Sequence, residues 1–253
     1  MIGPLRDFPL VIFVVSLLGL WLSAHIGALV RKKLRPLAED ESKDLATLEA
    51  ATLTLLGLII AFSFSMAVGR YDQRKDYEAE EANAIGTEYA RAGLLPSKDA
   101  DRIRRLLKDY VGQRVAFYRT SDESQLQQIN AVTNQIETEL WATIEAVAAL
   151  QPTPPVALAA SGMNDVFNER AYTQAAWWNR IPGAAWDLVI STAILCNLLL
   201  GYGAHRSGAH LFLVLPLALS ISFLLISDLD APRGGIIRIV PQNLLSVAES
   251  LGK

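Results

Sequence analysis

Cysteine occurs once, at Cys196, inside an apolar run, so an internal disulfide is excluded and the redox compartment stays open. We read Cys196 as a small polarizable filler of a membrane helix. Charge is sparse and balanced, 23 basic residues against 26 acidic and a net charge of -3. That excludes the basic face of a nucleic-acid binder. Enzyme signatures are missing too: there is no glycine-rich phosphate loop, nucleophile elbow, HExxH or cysteine pair. The chain is therefore read as a non-enzyme, with no cofactor and no metal. Strand-like alternation, internal repeats and low-complexity tracts are also lacking. Without repeats between its halves, a small-solute transporter is disfavoured.

What the sequence does have is apolar residues in blocks. Of its 253 residues, 51% are hydrophobic, and the mean hydropathy is +0.26. Four runs stand out: Pro9 to Val30, Ala46 to Val68, Ala184 to Ala204 and the shorter His210 to Ser227. At about 1.5 Å per residue, runs of this length cross a bilayer. The first is too long for a signal peptide and is read as a retained anchor. Trp177, Trp178, Trp186 and Tyr202 flank the third, as interfacial aromatics do.

The periodicity between the second and third runs is helical throughout. Helices are predicted over 70–92, 98–119, 125–150 and 156–180, with Gly93 as a stop and Ser97 as an N-cap. The predicted fold is all-α: a polytopic membrane protein with four transmembrane helices and a helical soluble domain between the second and third. The divisions are 1–69 (spans 9–30 and 46–68), 70–181 (soluble, continuing the second span), 182–227 (spans 184–204 and 210–227) and 228–253, a C-terminal segment packing on the soluble domain. Orientation stays open. The loop "RKKLR" favours a cytoplasmic short-loop face, and Arg6, Arg70, Arg74, Lys75, Arg180, Arg233 and Arg238 favour the opposite.

The second run passes from "LLGLIIAFSFSMAVG" into "RYDQRKDYEAEEAN" with no turn signal. At about 100° per residue, Thr52, Leu56, Ile59, Ser63, Met66, Arg70 and Arg74 share one face. On the other side Gly57, Ala61 and Ser65 recur every four residues, a ridge suited to close helix packing. One reading makes the first face a pore lining, gated at Leu56, Ile59 and Met66, with Arg70 and Arg74 attracting anions at its mouth. The other makes it ordinary core with boundary arginines that snorkel.

Further constellations have both bland and functional readings. His25, His205, His210 and Glu49 gather toward the short-loop side, but no metal-ligand spacing links them. Asp187 is read as a helix-start acid and Asn197 as an interhelical hydrogen bonder. Glu78, Glu80, Glu81 and Glu88 are read as a solvated helix face, which a vestibule lining would resemble. Asp228, Asp230 and Arg233 are read as a salt-bridge corner.

Three blocks carry a resemblance: "AFSFSMAVGRYDQRKDYEAEEANAIGTEYARAGLLP", "RIP" before the third span and "SDLDAPRGGIIRI" after the fourth. With them the chain resembles a bestrophin-like family of bacterial and plant membrane proteins, and more distantly the bestrophin anion channels. A Y-x-x-R…E pattern at Tyr71, Arg74 and Glu78 belongs to that likeness, and Asn83, Gly86, Asp228, Asp230 and Arg233 lie in its motifs. The resemblance implies a homo-oligomer, a pentamer, in the bacterial inner membrane with the soluble domain in the cytoplasm. It implies that the second helix lines both a neck and a vestibule, and that anions pass. Asp228 and Asp230 do not form the run of consecutive acids that calcium gating would need. The leading expectation is thus an anion-passing oligomeric channel. Its alternative is a non-conducting membrane scaffold or sensor whose helical domain binds a partner.

Overall fold

The computed structural model describes residues 7–33, 38–204 and 211–252, with the side chains of Glu39 and Leu211 left aside. His205 and His210 lie outside the described residues. Among them the order is α1 (Pro9–Lys33), α2 (Glu39–Arg91), a 3-10 turn (Ala92–Leu94), α3 (Ser97–Arg119), α4 (Glu123–Leu150), α5 (Pro154–Trp178), α6 (Gly183–Gly203), α7 (Leu211–Asp230) and α8 (Gln242–Gly252). The architecture is all-α, and four stretches are long and apolar enough to cross a membrane.

Local chemistry sets the helix ends. Arg31, Lys32 and Lys33 close α1 at the negative end of its dipole. The Asp122 carboxylate caps α4 by accepting from the Gln125 N–H at 2.9 Å. Prolines open α5, where a missing N–H costs nothing. Ser97 proves to be the first residue of α3, with Pro96 at the cap position. Nothing breaks α2, which runs for 53 residues.

The backbone divides into two units: residues 1–70 with 180–238, and residues 71–179 with 239–253. In the first, α1 packs on α6 and α7. Its tightest place is glycine on backbone. A Cβ at Gly201 would overlap the Ala24 carbonyl oxygen, and one at Gly27 the Leu198 carbonyl. Ser23 Oγ donates to the Ile194 carbonyl across the same seam, 2.9 Å. Removing side chains there lets dispersion act between backbones where lipid supplies no hydrophobic drive. Much of the outer surface of α1, α6 and α7 is apolar and exposed, including Val14, Leu18, Leu22, Leu188 and Val214. That is the surface of a protein that faces lipid or neighbours.

The second unit has a conventional core of Ile85, Ile103, Leu107, Phe117, Leu140, Ile144 and Met163. Trp177 joins it, edge-on to Phe117 at 5.0 Å and to Tyr118 at 5.4 Å. Trp186 is buried as well, in the first unit. Of the three expected interfacial tryptophans, only Trp178 is exposed, at 75%. Aromatic position along the chain does not reveal which ring a core will claim.

Candidate functional site

In the first unit α2 turns one face inward. Leu56 is 1% exposed, and Ser63 and Ala67 are buried beside it. Ser63 lines a small apolar gap with Ile181, Ala185, Trp186, Val189 and Ile226, and its hydroxyl donates to the Ile59 carbonyl at 2.9 Å. Thr52 is half-buried and donates to the Leu48 and Glu49 carbonyls, 2.9 and 3.0 Å. Ile59 is half-buried, and Met66 is exposed. Most of the stripe singled out from the sequence thus packs inside its own unit. Leu56 and Ser63 are core, because a serine that bonds its own helix can sit in an apolar seam.

The opposite face is open. Leu58 and Phe62 are exposed there, Phe62 at 63%, and Leu55, Phe64 and Met66 are exposed on the flanks. Gly57, Ala61 and Ser65 are exposed with them, and a Cβ at Gly57 would meet nothing within 4 Å. The close glycine packing expected at Gly57 occurs instead between α1 and α6.

In the second unit the same helix buries charge. Arg74 is 1% exposed; its Nε donates to the Ala176 carbonyl at 3.2 Å and Nη2 to the Asn179 carbonyl at 3.4 Å. It ties α2 to the end of α5 and is not a free anion-attracting group. Arg70 is half-buried, and its Nε meets no acceptor. Glu78 holds the start of α8: Oε1 accepts the Leu244 N–H at 2.9 Å and Oε2 the Asn243 amide at 2.6 Å. An acid there offsets the dipole of α8. Glu81 pairs with Arg114 and accepts from Thr173 Oγ1 at 3.1 Å, both charges fully enclosed. The Arg114 guanidinium also lies 4.4 Å from the centre of the Phe117 ring. Burial works against that positive charge, but Glu81, Tyr110 and Tyr118 together outweigh it and raise the Arg114 pKa.

So Glu78, Glu81 and Glu88 are buried, and of the four acids read as a solvated face only Glu80 is exposed. Burial is tolerated because Glu78 and Glu81 have partners. Asn83 is exposed, lining an open polar pocket with Glu80, Thr87, Asp165 and Glu169. Gly86 is half-buried and faces Val247, whose methyl would lie 3.8 Å from a Cβ there.

The blocks "RIP" and "SDLDAPRGGIIRI" meet in one corner of the first unit. Asp230 Oδ1 accepts the Ile181 N–H at 2.9 Å. Asp228 accepts two backbone N–H groups, from Ile236 at 2.6 Å and Ile237 at 2.8 Å. Arg180 Nη2 pairs with Asp7 at 2.6 Å, and a Cβ at Gly234 would overlap the Asp7 carbonyl. Both carboxylates serve as caps for backbone N–H groups.

The remaining polar groups are also local. His25 lies tilted against Trp21 at 4.1 Å and meets Phe212 edge-on at 5.5 Å. No group of three His, Cys, Asp or Glu positioned for a metal occurs among the described residues. Asn197 donates to the Ala193 carbonyl of its own helix at 2.8 Å, in place of the interhelical bond expected.

The family model of the bestrophin-like domain matches residues 10–244. This chain belongs to the bestrophin-like family. Solved structures agree in fold. One substituted form of a bacterial bestrophin homolog from Klebsiella pneumoniae is 14% identical, with a TM-score of 0.65 over 94% of this chain and 97% of that one. A second substituted form is 15% identical, TM-score 0.64, covering 94% and 99%. The form phased on zinc is 15% identical, TM-score 0.63, covering 93% and 98%. No curated sequence matches the chain. The bestrophin-like fold and its apolar helices make this a multi-pass membrane protein.

Proposed function

We propose that copies of this bestrophin-like chain assemble around a water-filled path lined by the exposed face of α2, and that the assembly conducts ions. The observation that carries this is the pair of opposed stripes on one unbroken helix. Leu56, Ser63, Ala67, Arg74, Glu78, Glu81, Ile85 and Glu88 are buried. Leu58, Phe62, Ser65, Gly69, Asp72, Asp76, Glu80, Asn83 and Thr87, three or four residues apart on the other side, are exposed. One helix cannot enclose a path, so head-to-tail copies must close a ring. Five is the number the family resemblance supports, with the second unit in the cytoplasm and the spans in the inner membrane.

Leu58 and Phe62 form the apolar constriction in this reading, with Met66 at its edge. The charge beyond it is acidic: Asp72, Asp76 and Glu80 are exposed, with Lys75 as the basic exception. Since Arg74 is spent on backbone carbonyls, this favours cations over the anions expected from the sequence. Purified protein in planar bilayers should carry a current whose reversal potential in a salt gradient lies on the cation side. Asp72→Asn with Asp76→Asn should move it toward zero. A well-folded oligomer that stays silent across salts and pH would instead support a non-conducting scaffold.

A further inference from the structure

Among the described residues of the second unit, Glu88 is the carboxyl with both oxygens buried and unpartnered. It is 0% exposed, and neither carboxyl oxygen has a hydrogen-bond partner. Buried polar atoms are almost always satisfied, so an orphan carboxyl calls for a ligand or a role. It lies against α5 at Gly162, where a Cβ would land on both Glu88 Oε2 and Arg91 Nη1. Only glycine leaves room for the two groups at that point. Yet Arg91 reaches outward, 3.7 Å to Asp165 Oδ2, a side chain that is 60% exposed. Gly162, Arg91 and Asp165 also line the polar pocket with Asn83, Thr87 and Glu169. Three ligating side chains do not converge there among the described residues, so a proton is the ligand these groups fit.

We propose that Glu88 is a reversible proton-binding site in the α2–α5 contact, whose ionisation draws Arg91 off Asp165 and so regulates the path along α2. The regulatory clause rests on the channel reading; the proton site does not. The step is balanced: the carboxyl O–H breaks, the proton leaves to water, and the remaining carboxylate is neutralised by Arg91. Arg91 is already at the site, so a side-chain swing suffices.

Burial pushes the Glu88 carboxyl up to about 8, with Arg91 pulling it down and Asp165 pushing it further up. Of the other groups on the packed elements, Glu169 of α5 is itself raised, first by burial and then by Glu80, Glu81 and Asp165. Arg104 of α3 is turned elsewhere, donating to the Tyr89 carbonyl at 3.4 Å and lying over the Tyr89 ring. The folded pKa is raised, so the folded state binds the extra proton. Stability is fully present below the ordinary pKa of 4.5, falls as pH rises, and is lost through about 8.

The test uses the full chain in detergent and in vesicles. Infrared difference spectra should show a protonated-carboxyl band that disappears with a midpoint near pH 8. Glu88→Gln should lack that band, and Glu169→Gln should keep it. Asp165→Asn, a surface change that leaves the interior intact, should move the midpoint to lower pH; it keeps the proposal testable if Glu88→Gln fails to fold. A midpoint indifferent to Asp165→Asn, a band that survives Glu88→Gln, or no band at pH 6 would overturn the proton site. Ion flux into vesicles should change between pH 7 and 9 in the wild type and stay flat in Glu88→Gln. Flux that ignores pH while the band titrates would overturn the regulatory clause. Absent flux with a titrating band would sink the channel reading and leave the proton site standing.

Discussion

Replacing Arg114 with alanine should destabilise the protein by about 3–5 kcal/mol, the cost of leaving one half of a buried ion pair unpartnered. Glu81 would keep a single neutral hydrogen bond, from Thr173. It would then be an enclosed carboxylate with no counter-charge, since both side chains of the pair are 0% exposed. The ring of Phe117 would lose the cation stacked on it. Three helices, α2, α3 and α5, meet at this pair, so the loss spreads through the second unit. A drop of several degrees in the thermal midpoint of the purified protein is the expected readout. Arg114→Lys should recover only part of it, because an ammonium cannot reproduce the planar fork. Replacing both members with apolar residues of similar volume should cost far less than either single change, the signature of desolvation outweighing attraction. If Arg114→Ala melts with the wild type, the pair is not a structural element of the core.

Gly201→Leu is expected to abolish the native packing of the first unit. The clash is with backbone: the Ala24 carbonyl oxygen stands where the new Cβ would go, and the Ala28 amide nitrogen is 3.0 Å from it. A flexible neighbour could yield, but a helix backbone cannot move alone, so α1 and α6 must separate. Separation would also break the bond from Ser23 to the Ile194 carbonyl. Overpacking in cores costs about 1–3 kcal/mol, more where rigid atoms collide. The informative control is Gly57→Leu, which meets open space on the outer face of α2. Size-exclusion profiles and melting curves should therefore separate the two variants: Gly201→Leu aggregates or fails to accumulate, and Gly57→Leu folds. Equal tolerance of both would contradict the close α1–α6 approach.

Much of the fold was legible because its signals are simple. Long apolar runs mark the spanning helices, and Pro and Gly punctuate the soluble ones. The unbroken 53-residue α2 follows from the absence of any Gly-Pro or Asn-Gly break between Leu55 and Asn83. The side that faces inward was not legible. A helical wheel assigns the core to apolar positions, whereas α2 buries Arg74, Glu78, Glu81 and Glu88, with Ile85 among them, at alternating four- and three-residue steps. Their partners, the Ala176 carbonyl, the Leu244 N–H and Arg114, come from α5, α8 and α3, and no local pattern announces them. Ser63 misled for a related reason, since its hydroxyl is satisfied by its own helix and needs no water. Glycine placement misled as well. A four-residue ridge at Gly57, Ala61 and Ser65 looks like a packing seam, yet the seam uses Gly27 and Gly201, far apart in sequence. The corner at Asp228 and Asp230 was visible as a motif. That it caps backbone amides required the loop geometry.

The most direct measurement is the water accessibility of α2 from within an assembled, conducting protein. Single cysteines at Phe62 and at Leu56, in a background lacking Cys196, would be challenged with a charged, membrane-impermeant thiol reagent while current is recorded. The account predicts that Phe62→Cys reacts and that its current is altered, whereas Leu56→Cys, 1% exposed in the parent residue, does not react. Reaction at Leu56 with none at Phe62 would show that the exposed face of α2 meets lipid or a neighbour, and that ions take another route or none.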